Sequence, residues 1–359
     1  MTRYLLAGGG TAGHVNPLLA TADELRARRS DDEVLVLGTA EGLEARLVPL
    51  RGYELSVIPR LPFPRRPNAA ALAFPGAFKA TIDSISRTIG QRGIDAVVGF
   101  GGYAAAPAYL AARRAGVPFI VHEANARPGL ANRLGARFTP WVGVAFEGTP
   151  LPHAEVVGMP LRREIAGLDR AAGRREAMLA LGLDPERPTL LVTGGSLGAR
   201  RINATVHAAA ARLVATGFQI LHITGDRAEI TDPGVEGYHL LSYCDRMDLA
   251  LSAADVAVSR AGAATVSELS ALGLPAMYVP YPVGNGEQRF NARGVVDAGG
   301  AVLVDDAAFV PEWVERELVP LLLDASRREE MGRAAASVGV RDGSGRLADL
   351  IGRALETER

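Results

Sequence analysis

The sequence predicts an α/β protein built from two doubly wound parallel-sheet domains, on three observations. Short apolar runs alternate with amphipathic stretches from one end of the 359-residue chain to the other, the pattern of βα units whose helices cover a parallel sheet. The second half repeats the plan of the first. Each half also opens with a strand that runs straight into a glycine turn, the entry of a doubly wound domain. A chain of this length, 48% hydrophobic, suits two cores better than one.

In the first half the strands are read over 3–7, 33–38, 54–58, 95–99, 117–121 and 141–145, with helices over 17–29, 68–92, 104–115 and 128–136. Asn16 reads as the N-cap of the first helix and Pro17 as its first residue. The second half places strands over 189–193, 218–223, 238–241, 255–258, 275–279 and 301–304. Between them, a strand gives way to Gly and Pro at Val156-Val157-Gly158-Met159-Pro160, so the domains are read as 1–158 and 159–339 with a cleft between. Residues 326–359 read as two helices split at Gly343-Ser344-Gly345. They are too short for a domain, so they must pack on one already built.

The composition removes several classes. One cysteine, Cys244, forms no internal disulfide and suits a reducing compartment. The N-terminal run Met1 to Ala7 meets glycine at once, without the apolar length of a signal peptide. The uncharged stretches 96–112 and 269–286 are broken by glycine and proline, so neither is a membrane span. A cytoplasmic protein is expected. The net charge is −1, but residues 1–158 carry 17 basic and 13 acidic groups while 159–359 carry 22 and 27. The halves differ in sign, +4 against −5. Charges of both signs interleave along the chain, which argues against nucleic-acid binding.

The chemistry is concentrated in the turns. Gly8-Gly9-Gly10-Thr11-Ala12-Gly13-His14 has the dinucleotide spacing, but that reading needs an acid at the end of the second strand. Gly38 and Thr39 stand there, and Glu33 lies at the strand's start. A dinucleotide is therefore disfavoured, while a turn needed only for close strand–helix packing stays open. Thr193-Gly194-Gly195-Ser196-Leu197-Gly198-Ala199-Arg200 occupies the equivalent place in the second half, and Ser259-Arg260-Ala261-Gly262-Ala263-Ala264-Thr265 follows the strand 255–258. Small residues ahead of a helix N-terminus let backbone N–H groups meet a diphosphate. Together these two turns suit a nucleotide diphosphate, with Arg260 as a cation for a leaving diphosphate. Glu268 is placed to accept from ribose hydroxyls, or is an acid favoured by its helix dipole. No Asp-x-Asp and no His/Cys cluster with ligand spacing occurs, so no protein-bound metal is expected.

Seven segments then stand in one order: Gly8–His14, Gly101-Gly102-Tyr103, His122-Glu123-Ala124-Asn125, Gly158-Met159-Pro160-Leu161-Arg162, Gly194–Arg200, Arg260–Glu268 and Gln288-Arg289-Phe290-Asn291-Ala292. Across nearly the whole chain this set closely resembles glycosyltransferase family 28. These bacterial transferases add N-acetylglucosamine to undecaprenyl-diphospho-N-acetylmuramoyl-pentapeptide, turning lipid I into lipid II in peptidoglycan synthesis. The resemblance implies a GT-B architecture of two Rossmann-like domains, the C-terminal helix, about 340–359, packing back on the first, with inverting transfer from UDP-N-acetylglucosamine to the C4 hydroxyl of the muramoyl sugar. It implies a protein peripheral on the inner face of the cell membrane, with other cell-wall synthesis proteins as open further partners. No cofactor is required; free magnesium stays open as an aid to the leaving diphosphate.

Carried over residue by residue, the resemblance places Ser196, Ala263, Ala264 and Thr265 at the diphosphate and Glu268 at the ribose. Arg162 falls near the donor, the backbone at Cys244 faces uracil, and Gln288 and Asn291 contact sugar hydroxyls or hold their loop. Two positions depart from the family pattern. Glu287 stands where a second glutamine is common, and Leu197 where glutamine is common. Ionised, Glu287 only accepts hydrogen bonds, which still suits hydroxyls.

For the acceptor, His14 is the leading general base, since inversion by direct displacement needs a group that takes the hydroxyl proton. Glu123 is the rival, or orients the acceptor with Asn125 and Tyr103. Thr11, Ala12, Gly13 and Asn132 line the same pocket. His153, His207, His222 and His239 read as structural. Residues 61–80 place Phe63, Leu72, Phe74 and Phe78 beside Arg65, Arg66 and Lys79. This suits an interfacial patch for an anionic membrane, although a helix packing on its own sheet has the same pattern. Two rivals remain, another GT-B transferase with a different UDP-sugar or a lipid or natural-product acceptor, and a nucleotide-sugar-binding protein without catalysis.

Overall fold

The computed structural model describes residues 1–64, 69–195, 199–226, 228–283 and 286–357. The chain forms two compact units, residues 1–162 with 342–359, and residues 163–341. Each is built on its own all-parallel sheet. This is the GT-B class.

The first sheet has seven strands: β1 (Arg3–Ala7), β2 (Glu33–Gly38), β3 (Glu54–Val57), β4 (Ala96–Gly99), β5 (Phe119–Glu123), β6 (Val142–Val144) and β7 (Ala154–Val156). Their order is β3-β2-β1-β4-β5-β6-β7, so the winding reverses between β1 and β4. Successive side chains alternate between the two faces. Leu6, Val36, Val98 and Ile120 pack beneath the helix Ala12–Arg28, whereas Leu5, Leu35, Leu37, Val97 and Val121 pack beneath Ile85, Ile89 and the alanines of the helix Gly102–Ala115.

The final helix, Gly343–Thr357, buries Leu347, Leu350, Ile351 and Ala354 in the same core as Leu6 and Leu18. Each large side chain so buried contributes roughly 2 kcal/mol. Arg28 secures this helix by pairing with Asp349 at 2.5 Å and donating to the Gly345 carbonyl at 2.9 Å.

Three elements differ from the sequence reading. The first helix starts at Ala12 with Thr11 as N-cap, and Pro17 lies inside it. Pro17 supplies no N–H to the preceding turn, but packing of Val15, Leu18, Leu19 and Ala22 outweighs that one bond. Strand β5 runs two residues further than expected, which brings His122 and Glu123 onto the sheet; Pro118, lacking an N–H, stands just before it. The two helices expected over 326–359 are present as Ala325–Val338 and Gly343–Thr357, but Gly343-Ser344-Gly345 opens the second and does not separate them. Asp342 Oδ1 accepts the Gly345 N–H at 3.2 Å, and a Cβ at Gly343 would lie 2.1 Å from the Met159 carbonyl oxygen. Close approach there requires glycine.

The second sheet holds β8 (Thr189–Thr193), β9 (Gln219–Ile223), β10 (Tyr238–Leu241), β11 (Val256–Ser259), β12 (Ala276–Tyr278) and β13 (Ala301–Leu303). Their order is β10-β9-β8-β11-β12-β13, so here the reversal falls between β8 and β11. Leu190, Val192, Ile220, Val256, Val258 and Met277 form one core with Ile202, Val206, Trp313, Leu318 and Leu321. In both units the glycine turns follow the two strands at the reversal point, where a doubly wound sheet leaves a crevice at its carboxyl edge. No helix among the described residues is long and apolar enough to cross a membrane.

Candidate active site

In the first unit the crevice is flanked by the turn after β1 and the turn after β4. Gly101, with φ 90°, comes close to the His14 ring: a Cβ there would lie 3.2 Å from Nε2. His14 Nδ1 lies 3.1 Å from the Gly9 carbonyl oxygen and 3.3 Å from Thr11 Oγ1. A carbonyl only accepts, so Nδ1 carries the proton and Nε2 holds the free lone pair. Burial lowers the pKa of the ring, opposed by the Gly9 carbonyl and by the charges of Glu123 and Glu44. His14 is therefore neutral at neutral pH, which a base must be.

Glu123 is 3% exposed at the end of β5. Its oxygens accept from the N–H groups of Asn125 at 2.9 Å and Gly129 at 3.0 Å, and from Asn132 Nδ2 at 2.9 Å. The carboxylate, read from the sequence as the rival base or as orienting the acceptor, is thus turned onto its own loop, where it organises residues 124–129 and the half-buried Asn125. Asn132 is 2% exposed. Its amide also donates to the His122 carbonyl at 3.0 Å and accepts from Tyr109 at 2.7 Å. The sequence reading has Asn132 lining the acceptor pocket; here its side chain is spent on Tyr109, Glu123 and the His122 carbonyl. Thr11 and Tyr103 are exposed, Ala12 and Gly13 half-buried, and the Arg60 guanidinium stacks 5.0 Å above the Tyr103 ring.

In the second unit, Gly195 N–H donates to Thr193 Oγ1 at 3.3 Å as β8 ends. Ser196 and Leu197 lie outside the described residues. After β11, Gly262 caps the helix Ala263–Ala271. Ala263, Ala264 and Thr265 therefore occupy its first turn, where N–H groups lack partners within the helix. Glu268 lies half-buried one turn further on.

The third turn is clamped by the helix Glu287–Asp297. Gln288 Oε1 accepts the N–H groups of Ala261 at 3.2 Å and Tyr281 at 2.9 Å, while Asn291 Nδ2 donates to the Ala261 carbonyl at 3.3 Å. Asn291, 1% exposed, holds the loop. Two N–H donors fix which Gln288 atom is the oxygen, so its NH2 is the group left to reach a ligand.

Arg260, which the sequence reading assigns to a leaving diphosphate, is 8% exposed. Its Nη1 donates to the carbonyls of Val279 at 2.9 Å and Pro280 at 3.1 Å, and pairs with Asp306 at 2.6 Å. It braces β12 and the turn.

Cys244 is half-buried just beyond β10, and burial raises its thiol pKa. Arg162 is half-buried at the end of the first unit's main segment, and Glu287 is half-buried at the start of its helix. Among the remaining histidines, His222 is buried against Asn203 and Tyr238. A cavity of about 360 Å³ lies at the opposite end of the first sheet, lined by Arg3, Asp31, Glu33, Glu54 and Arg92, far in the chain's layout from the turns.

Sequence reasoning missed Glu44, Tyr109 and Asp306, all bound to site residues or to the turns that carry them. For Glu44 a signal existed: an acid was sought at the end of β2, and Glu44 reaches back to Thr39 there.

The family description Glycosyltransferase family 28 N-terminal domain matches residues 4–143, and Glycosyltransferase family 28 C-terminal domain matches residues 189–347. A protein of Leifsonia xyli subsp. xyli named UDP-N-acetylglucosamine–N-acetylmuramyl-(pentapeptide) pyrophosphoryl-undecaprenol N-acetylglucosamine transferase is 69% identical over 351 residues, 98% of each chain. The Streptomyces coelicolor protein of that name is 53% identical over 355 residues, again 98% of each. The crystal structure of Acinetobacter baumannii MurG superposes with a TM-score of 0.81 at 29% identity, over 98% of this chain and 100% of that one.

Proposed function

This chain belongs to glycosyltransferase family 28, and from that premise we propose that it moves N-acetylglucosamine from UDP-N-acetylglucosamine to the C4 hydroxyl of a polyprenyl-diphospho-N-acetylmuramoyl-pentapeptide. The observation that carries the reading is the identity of 69% across nearly the full length of a relative bearing that activity in its name. Each unit supplies one half of the chemistry at its own reversal point.

On the first unit, His14 Nε2 takes the proton of the acceptor hydroxyl as its oxygen attacks the anomeric carbon. The bond from that carbon to the diphosphate oxygen breaks, and the electron pair leaves with UDP, so the configuration inverts. Glu123 holds the loop that presents Asn125, and Tyr103 and Thr11 stand at the exposed rim. On the second unit, the first-turn N–H groups of Ala263, Ala264 and Thr265 meet the growing charge on the diphosphate, as fixed dipoles that need no reorganisation. Ser196, Arg162 and the backbone at Cys244 complete the donor contacts, Glu268 receives the ribose, and the Gln288 NH2 with Glu287 reads the sugar. This chemistry calls for no protein-bound metal; assay in a chelator decides whether free magnesium assists the leaving group.

The acceptor carries a lipid tail, and the proposal places the protein on the inner face of the cell membrane through residues 61–80. Support comes from Phe63, Phe74 and Phe78, which adjoin in series: Phe63 meets Phe74 edge-to-face with ring centroids 5.6 Å apart, and Phe74 stacks on Phe78 at 5.4 Å. Phe63 is 66% exposed and Leu72 87%. Arg65 and Arg66 lie outside the described residues; Lys79 is exposed and pairs with Asp83 at 3.4 Å.

The test is UDP release from UDP-N-acetylglucosamine and its galacto epimer, with and without a lipid-linked muramyl-peptide. Acceptor-dependent release selective for the glucosamine donor is expected. Release with another acceptor or epimer would favour a different GT-B transferase, and donor binding without turnover a non-catalytic protein.

A further inference from the structure

The first glycine turn is built around an internal carboxylate. Glu44, at the start of the helix Glu44–Leu50, is fully buried. Its Oε2 accepts the Gly10 N–H at 2.8 Å, and its Oε1 accepts the N–H and hydroxyl of Thr39 at 2.8 and 2.9 Å. Three glycines make the room. A Cβ at Gly9, Gly38 or Gly42 would lie 2.3, 2.5 or 2.1 Å from Glu44 side-chain atoms, closer than real atoms pack.

The Gly10 N–H and the Gly9 carbonyl belong to one planar peptide group. Glu44 takes the N–H side of that group. His14 Nδ1–H donates to its carbonyl side at 3.1 Å. Carboxylate, peptide and imidazole thus form one hydrogen-bonded chain, in which each link polarises the next. The carbonyl is hemmed in from outside as well, since a Cβ at Gly102 would lie 2.6 Å from it.

We propose that Glu44 is the positioning residue of His14, acting through the Gly9–Gly10 peptide to fix the Nδ1–H tautomer and aim Nε2 at the acceptor. The proposal rests on the reading of His14 as the base. The carboxylate also takes the Gly10 N–H that an external phosphate would use, which separates this turn from a dinucleotide turn of the same spacing.

The charged groups facing His14 are Glu44 and, from β5, Glu123. Burial opposes ionisation of Glu44, but the N–H groups of Gly10 and Thr39 outweigh it and hold the carboxyl below its ordinary range. Removing its charge therefore makes His14 harder to protonate.

The experiment compares the full-length wild type with Glu44→Gln, Glu44→Asp and His14→Asn. It follows kcat and both KM values against pH, and the His14 ring by NMR. An orienting partner of a histidine is worth about tenfold or more. Glu44→Gln is expected to lower kcat about tenfold, leave donor KM unchanged, and move the acid limb of kcat and the ring titration to lower pH. Added to His14→Asn it should cost nothing further. Glu44→Asp keeps the charge with a shorter reach, so it should lower kcat with the pH profile near that of the wild type, and it carries the kcat readout if the glutamine variant does not fold. In the wild type the ring should carry its proton on Nδ1. A proton on Nε2, a folded Glu44→Gln variant with an unchanged pH profile, or a folded Glu44→Asp variant with wild-type kcat overturns the proposal. Wild-type kcat in His14→Asn instead overturns the base assignment, while the tautomer still reports on Glu44.

Discussion

Arg260 and Asp306 form an ion pair of 2.6 Å within the second unit, with side chains 10% and 16% exposed. Asp306 also lies 3.9 Å from Arg201, in the helix that follows the turn after β8. One carboxylate therefore faces cations from the turn after β11 and from the helix after β8. Removing one partner of such a pair strands a buried charge and costs about 3–5 kcal/mol. Asp306→Ala is expected to lower the urea midpoint of the second unit by a corresponding amount and to weaken UDP binding by calorimetry. Unchanged UDP affinity in the folded variant would confine the pair to a structural role.

Gln288 and Asn291 hold the two faces of Ala261, yet they should fail differently. Gln288→Glu keeps an oxygen for the Ala261 and Tyr281 N–H groups but loses the NH2. It should bind UDP normally and raise KM for UDP-N-acetylglucosamine about tenfold, the worth of one hydrogen bond. Asn291→Ala leaves the Ala261 carbonyl without its amide donor and should cost about 1–3 kcal/mol of stability. Steady-state kinetics and denaturant titration of both variants separate the two roles.

Two buried histidines make the fold acid-sensitive. Burial lowers the pKa of both His122 and His222 to about 4. Between that value and the ordinary histidine value the unfolded chain binds more protons than the folded one, so stability rises with pH. Each contribution is present at neutral pH and is lost as pH falls through that window, by about 2 kcal/mol per histidine at pH 5. Urea midpoints at neutral pH and at pH 5 should differ accordingly, and His222→Gln should flatten the difference. Equal midpoints in the wild type would refute it.

The aromatic series Phe63, Phe74 and Phe78 should seat the first unit on anionic vesicles. Phe74→Ser and the charge reversals Arg65→Glu and Arg66→Glu are each expected to reduce co-sedimentation about tenfold or more, since a reversal changes two charges at about 1 kcal/mol apiece and the ring contributes about as much. Binding that ignores both the variants and the anionic lipid content would return these residues to ordinary packing.

Much of this architecture is legible in the chain because its causes are local. Strands β1, β2, β8 and β10 fall where apolar runs end in Gly, Thr or a polar turn, and glycine after a strand marks the carboxyl edge whatever lies beyond. Errors arose where distant packing outweighed a local signal. Pro17 looked like a helix start, but the core beneath Val15 and Leu18 extends the helix past it. Gly343 looked like a break, but it is a point of contact with Met159, whose carbonyl comes from more than 180 residues earlier in the chain.

The sequence by itself determined the two parallel-sheet halves, the turns that carry the chemistry, His14 as a candidate base, and the family through seven ordered motifs. These follow from period, spacing and residue type, which are properties of neighbours along the chain. Only the tertiary structure decided which polar groups face one another. It turned Arg260 and Glu123 inward, set Asn132 and Asn291 behind the surface, and brought Glu44 beneath the turn that holds His14. Hydrogen bonds between residues tens of positions apart leave no period in a sequence, because folding alone brings their donors and acceptors within 3 Å.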